Sequence, residues 1–335
     1  MKPHIQIVLA ALLCAVIQGP AQALTLKIAT LAPAGTDWMK AMKQGAGRIA
    51  DKTDGRVMLK FYPGGVMGSE QSVQRKIRIG QLQGGAFSSG GLADVYPDIQ
   101  VLNLPMLFES FDEVDYVRAR IEPVMRRNLE ARGFVLLGVA EQGFTRILSS
   151  EPITDLSTIR EHKLWAPEGD LMVEETYRSM GLSPVFLPIS DVYTGLQTGL
   201  VDTVTTTPSA AIAFQWHSSL GYMTETPLAY LVGLLAIDKR AFDKIGTDDQ
   251  AIVRQEVARV VESLDRKTRA GNLRAAEALQ NQGFVFVKPG DEEIAHWKRL
   301  ADDSIERLID KGALSREGVE LVKRHLCDYR NGSRQ

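Results

Sequence analysis

Residues 24–30 alternate apolar and polar positions and predict a strand, followed by a loop at Pro33 and Gly35. Thr36 or Asp37 can cap a helix whose apolar positions Met39, Met42, Ala46, Ile49 and Ala50 recur at helical spacing until Gly55. A strand over 56–62, a helix from Ser69 with Val73 and Ile77 on one face, and a short strand over 84–88 repeat that order. Ser110 and Glu113 have capping-box spacing ahead of a helix carrying Val114, Val117, Ile121 and Val124, which Pro123 is expected to kink. The run 134–140 is apolar throughout, as in a strand covered on both faces. A crossover at 143–149, a strand near 163–165, helices from Leu171 and Ser190, and a returning strand over 228–237 follow. Between 247 and 282 there is no proline, and Ile252, Val253, Val257, Val260, Val261 and Leu264 keep a helical rhythm that only Gly271 interrupts. That segment is one helix of about 35 residues, roughly 50 Å long, or two helices joined near Gly271. The alternation of strands and helices predicts α/β architecture with mostly parallel strands.

Composition narrows the setting. The first 23 residues hold Lys2, an apolar run at 5–17 and the end Ala21-Gln22-Ala23. This is the pattern of a cleaved secretory signal, since the run is too short to span a bilayer. A soluble periplasmic chain starting at Leu24 is therefore expected. The formal net charge of −2 becomes −3 once Lys2 is lost, which gives neither a basic field for nucleic acid nor a polybasic membrane patch. Cys14 falls within the signal, so Cys327 is left without a partner for an intramolecular disulfide. The length exceeds one ordinary domain, and the returning strand makes two discontinuous lobes: 24–146 with about 228–265, and 147–227 with about 266–330.

The segment 163–208 carries the most specific pattern. It contains Lys163-Leu164-Trp165-Ala166-Pro167, Met180-Gly181-Leu182-Ser183-Pro184, and a run from Asp191 through Tyr193, Gly195, Gln197 and Gly199 to Asp202. A helix capped by Ser190 and stopped at Gly199 leads from there into a strand over 201–205. With Phe61-Tyr62-Pro63-Gly64-Gly65, Gly68-Ser69-Glu70, Leu104-Pro105-Met106-Leu107-Phe108 and Gly143-Phe144, the chain resembles the solute-binding proteins of TRAP (tripartite ATP-independent periplasmic) transporters. The resemblance implies a two-lobed clamshell with mixed sheets, a long helix crossing both lobes, a small ligand between them, and a two-part membrane permease as partner. An alternative on the same fold is a ligand-presenting signalling or scaffold protein docked to a sensor or a periplasmic helical-repeat protein.

Two departures bear on the ligand. Where the family usually has an arginine that clamps a carboxylate, this chain has Trp165, and an indole offers one donor and a large apolar face. A second arginine position is taken by Thr145, with Arg146 one place later; in an extended strand that shift turns the side chain to the opposite face. Candidate ligand contacts are the aromatics Trp38, Phe108, Trp165, Tyr193 and Phe214 and the polar residues Ser88, Ser89, Gln142, Thr205, Thr206 and Thr207. They suit a mostly apolar pocket with a few orienting groups. For Trp38 and Phe108 the competing role is core or hinge packing, and the three threonines also fit a β-branched strand end. Glu70 is expected to cap its own helix.

No nucleophile elbow, phosphate-binding glycine loop, dinucleotide fingerprint or zinc-helix histidine spacing occurs, so neither catalysis nor a cofactor or metal is expected.

Overall fold

The computed structural model describes residues 23–332. The expected signal segment, apart from Ala23, lies outside them. The strands in chain order are β1 Leu24–Thr30, β2 Val57–Tyr62, β3 Gly84–Ser88, β4 Phe134–Phe144, β5 Arg146–Ser149, β6 Trp165–Pro167, β7 Val185–Leu187, β8 Thr203–Thr206, β9 Tyr222–Thr224, β10 Tyr230–Asp238 and β11 Val285–Val287.

The first lobe is built on a sheet of order β2-β1-β3-β10-β4, parallel among β2, β1 and β3 and antiparallel at β10 and β4. The second has the order β11-β9-β5-β8, extended through the Leu164–Thr203 bridge toward the parallel pair β6 and β7. Both sheets are thus mixed. The chain passes between them at Thr145, which separates β4 from β5, and again between β9 and β10. The two passages are bonded to each other: Thr145 N–H donates to Ala229 O at 2.8 Å, and Leu228 N–H donates to Thr145 O at 3.0 Å.

Helix starts follow the capping chemistry of the sequence. Thr36 accepts from Met39 N–H, and Ser69 from Ser72 N–H. At 110–113 only half of the expected box forms. Ser110 accepts from Glu113 N–H, but the Glu113 carboxylate accepts from Glu109 N–H and pairs with Arg330 of the C-terminal helix. The helix continues across Pro123 as Phe111–Glu130.

Thr247–Asn281 is one 35-residue helix. Its first half packs Val253, Val257, Val260, Val261 and Leu264 into a core shared with β1, β4 and β10. Its second half gives Leu279 to the core of the second sheet, beside Trp165, Trp216 and Met223. Close approach is possible because Gly138 of β4 has no side chain; a Cβ there would come within 2.8 Å of Val261 Cγ2. The end of the chain departs from the expected division at 266–330. Val319, Val322 and Leu326 of the helix Arg316–Gly332 join the core around Val114, Val117 and Ile121, on the first lobe.

Candidate ligand-binding cleft

A cavity of about 230 Å³ lies between the two sheets. One wall comes from the first lobe: Ser88 at the end of β3, Ser89 and Gly90 after it, Gln100 and Asn103 on the 3-10 turn Pro97–Asn103, and Gln142 of β4. The other comes from Trp165 of β6, Asp170, the helix Leu171–Ser179, Thr205 and Thr206 of β8, and Phe214 with Trp216. Thr145, at the crossover, also faces the cavity.

The aromatic wall is internally packed. Trp165 meets Trp216 edge-on with centroids 5.1 Å apart, and Phe214 stacks on Trp216 at 5.3 Å. The Trp165 Nε1–H donates to Leu187 O at 3.0 Å, so its single donor is spent within the protein and the ring offers a cavity only its apolar surface. The polar groups of the lining are hydroxyls and amides: Tyr177 Oη lies 2.8 Å from Thr205 Oγ1, while Gln100 Nε2 and Asn103 Oδ1 are buried without a partner among the described residues.

Two acids stand at the mouth. Asp170 Oδ1 accepts from Met172 and Val173 N–H at 3.1 and 3.2 Å, starting its helix, and burial pushes its carboxyl above the ordinary range. Glu70 does not cap its own helix as expected. It accepts from Ser88 N–H and, at 2.8 Å, from Ser88 Oγ–H, pinning the end of β3. Burial raises its carboxyl too, and the charge of Asp170 adds to that rise. Across the mouth, Gln71 Nε2–H donates to Glu168 O at 3.0 Å. Arg146 is absent from the cavity wall; its guanidinium donates to Thr224 O at 3.4 Å, and burial lowers its pKa.

Residues 28–311 match the model of the bacterial extracellular solute-binding proteins, family 7. The chain belongs to this family. The chain is similar to the C4-dicarboxylate-binding periplasmic protein of Rhodobacter capsulatus, 23% identical over 78% of this chain and 80% of that one. Similar solved structures are the sugar acid binding protein of Advenella mimigardefordensis with galactonate (20% identity, TM-score 0.84, 91% of this chain and 98% of that one) and a TRAP periplasmic solute-binding protein of Desulfovibrio salexigens with orotic acid (16%, 0.83, 92% and 99%). The protein is thus a solute-binding receptor for a small molecule, not an enzyme, and its two-lobed fold is that of the solved TRAP solute-binding proteins.

Seven of the residues expected to meet ligand come together in this receptor's cavity: Ser88, Ser89, Gln142, Trp165, Thr205, Thr206 and Phe214. Four do not line it. Trp38 packs edge-on against Phe61 at 6.3 Å, and Phe108, 4% exposed, packs edge-on against Tyr230 at 6.2 Å. Tyr193 is 41% exposed, because the short helix Val192–Gln197 buries Val192, Gly195 and Leu196 and turns Tyr193 outward. Thr207 spends its hydroxyl capping Pro208–Ala213, accepting from Ala210 N–H at 3.3 Å. Ser190 likewise caps no helix; it donates to Asp191 Oδ1. The sequence reading missed Gln100, Asn103, Asp170 and Tyr177. Asp170 was accessible as a helix-capping aspartate after Gly169, but a 3-10 turn such as Pro97–Asn103 has no strong periodic signature.

Proposed function

We propose that this receptor is exported to the periplasm as a chain starting at Leu24, captures a small ligand with an apolar or aromatic body between its lobes, and delivers it to the two membrane subunits of a TRAP permease. The observation that carries the ligand reading is the wall formed by Trp165, Trp216 and Phe214 in a cavity whose lining, among the described residues, contains no lysine, arginine or histidine. A dicarboxylate entering it gives up hydration without a guanidinium fork to replace it, which costs several kcal/mol. A flat or apolar body instead gains burial against the rings.

Mass spectrometry of the small molecules released from receptor purified out of its own periplasm tests this. An apolar-bodied or aromatic compound is expected at near-stoichiometric yield. Recovery of a dicarboxylate or an open-chain sugar acid overturns the reading.

A further inference from the structure

The geometry points to a positively charged amine, carried on the apolar or aromatic body inferred above, as the ligand class of this cleft, with Asp170 as its counter-ion. This rests on the preceding reading of the cavity and adds the sign of the ligand's charge. Asp170 is the one carboxylate among the described residues that line the cavity, and no cationic side chain faces it there. Its two oxygens differ. Oδ1 is occupied by the N–H groups of Met172 and Val173, whereas Oδ2 makes no hydrogen bond among the described residues. That free oxygen comes from the second lobe and stands where a side chain on Gly90 of the first lobe would begin; Gln100 Nε2 lies 3.4 Å from the same point.

The facing wall has two further unpartnered polar atoms, one an acceptor and one a donor. Asn103 Oδ1 and Gln100 Nε2 are unpartnered on side chains only 8% and 4% exposed. A buried acceptor without a donor is costly, and a ligand that brings N–H groups removes that cost at Asn103 and gives Asp170 Oδ2 a donor, while Gln100 Nε2, itself a donor, is left for an acceptor elsewhere on the ligand. An ammonium presents up to three such donors and carries the charge that an incompletely solvated carboxylate lacks. The ring faces of the aromatic wall carry negative potential and favour a cation as well. An anion in the same place meets Asp170, with Glu70 next to it, and no compensating base.

Calorimetric titration at neutral pH with tryptamine, tryptophol, indole-3-acetate and galactonate tests the assignment, each taken to about 5 mM so that a Kd near 1 mM is resolved. Tryptamine is expected to bind at least about tenfold more tightly than tryptophol, and indole-3-acetate not to bind. Asp170→Asn keeps a side chain that caps helices well. It should lower tryptamine affinity at least about tenfold, as loss of one member of a buried charge pair does, and lower tryptophol affinity by much less. Equal binding of tryptamine and tryptophol, or preference for indole-3-acetate, overturns the charge assignment and spares the aromatic-body reading. Binding of galactonate alone overturns both. Absence of tryptamine binding, or tryptamine binding unaltered by Asp170→Asn, overturns the charge assignment.

Discussion

Trp165 shows how one residue serves folding and recognition at once. Its ring closes the core of the second sheet against Trp216, its N–H satisfies Leu187 O, and what remains is an apolar face on the cavity. The two roles separate by substitution. Trp165→Phe keeps an aromatic face but leaves Leu187 O without its donor, so we expect a stability loss of about 1–2 kcal/mol with ligand affinity largely retained. Trp165→Ala removes the face as well. It should destabilise the fold by about 3–5 kcal/mol and weaken the native ligand by about 1–3 kcal/mol. Urea denaturation reads the first quantity and calorimetry on the folded variant the second; equal affinity of Trp165→Ala and the wild type would show that the indole does not touch ligand. The same residue marks what a sequence can convey. That position 165 faces the cleft is legible from its neighbours, but that its donor is already engaged depends on β7 lying beside β6, a pairing no local pattern encodes. Tyr193 and Thr207 fail for the complementary reason. Each sits in a run expected to face ligand, and the choice of face is decided by packing and by a cap.

At the scale of elements, the long helix does more than bridge two cores. Near its middle, Arg269 donates to both oxygens of Glu141 on β4 and to Asp115, and Tyr230 Oη–H donates to the same Glu141 at 3.1 Å. One turn on, Asn272 donates to Gln142 O at 2.8 Å and accepts from Ser209 N–H at 3.1 Å, so it joins the end of β4 to the helix that follows β8. The helix is therefore fastened to the first lobe just before the crossover and to the second just after it. The Glu141 side chain is fully buried while Arg269 is 31% exposed. Glu141→Gln leaves a buried guanidinium edge short of its charge and should cost about 3 kcal/mol, the low end for breaking a buried pair. A change in urea midpoint below about 0.5 kcal/mol equivalent would show that Asp115 alone suffices to hold Arg269. The helix itself was legible from its unbroken apolar rhythm, and the structure settles the choice at Gly271 in favour of one helix. Its fastening was not legible, because Arg269 and Asn272 read as surface residues until β4 is laid against them.

For the whole molecule, the consequence of this construction is a restricted hinge. Among the described residues, the lobes are joined by two strand passages bonded to each other through Thr145, Leu228 and Ala229, by one helix anchored on both sides, and by the chain's return from the helix Asp291–Asp310 to Arg316–Gly332. At the front, the lobes touch through the hydrogen bond from Gln71 to Glu168 O, the approach of Asp170 to Gly90, the pair of Lys298 with Glu109, and Met172 buried in the first lobe's core. Opening the cleft would bend these passages at the back and break the Gln71–Glu168 bond at the front. A ligand that contacts Asp170 and the aromatic wall on one side and Asn103 and Gln100 on the other exists in full contact only when the lobes are shut, and it must shift the population toward that form. Small-angle scattering of the ligand-stripped receptor, repeated at saturation with the molecule recovered from the periplasm, should show a smaller radius of gyration with ligand. Gln71→Ala should weaken binding by about 0.5–1.5 kcal/mol through faster release, because it removes a bond made in the closed form alone. An identical scattering profile at saturation would instead mean a rigid cleft, and ligand entry would then have to occur through the mouth without separation of Asp170 from Gly90.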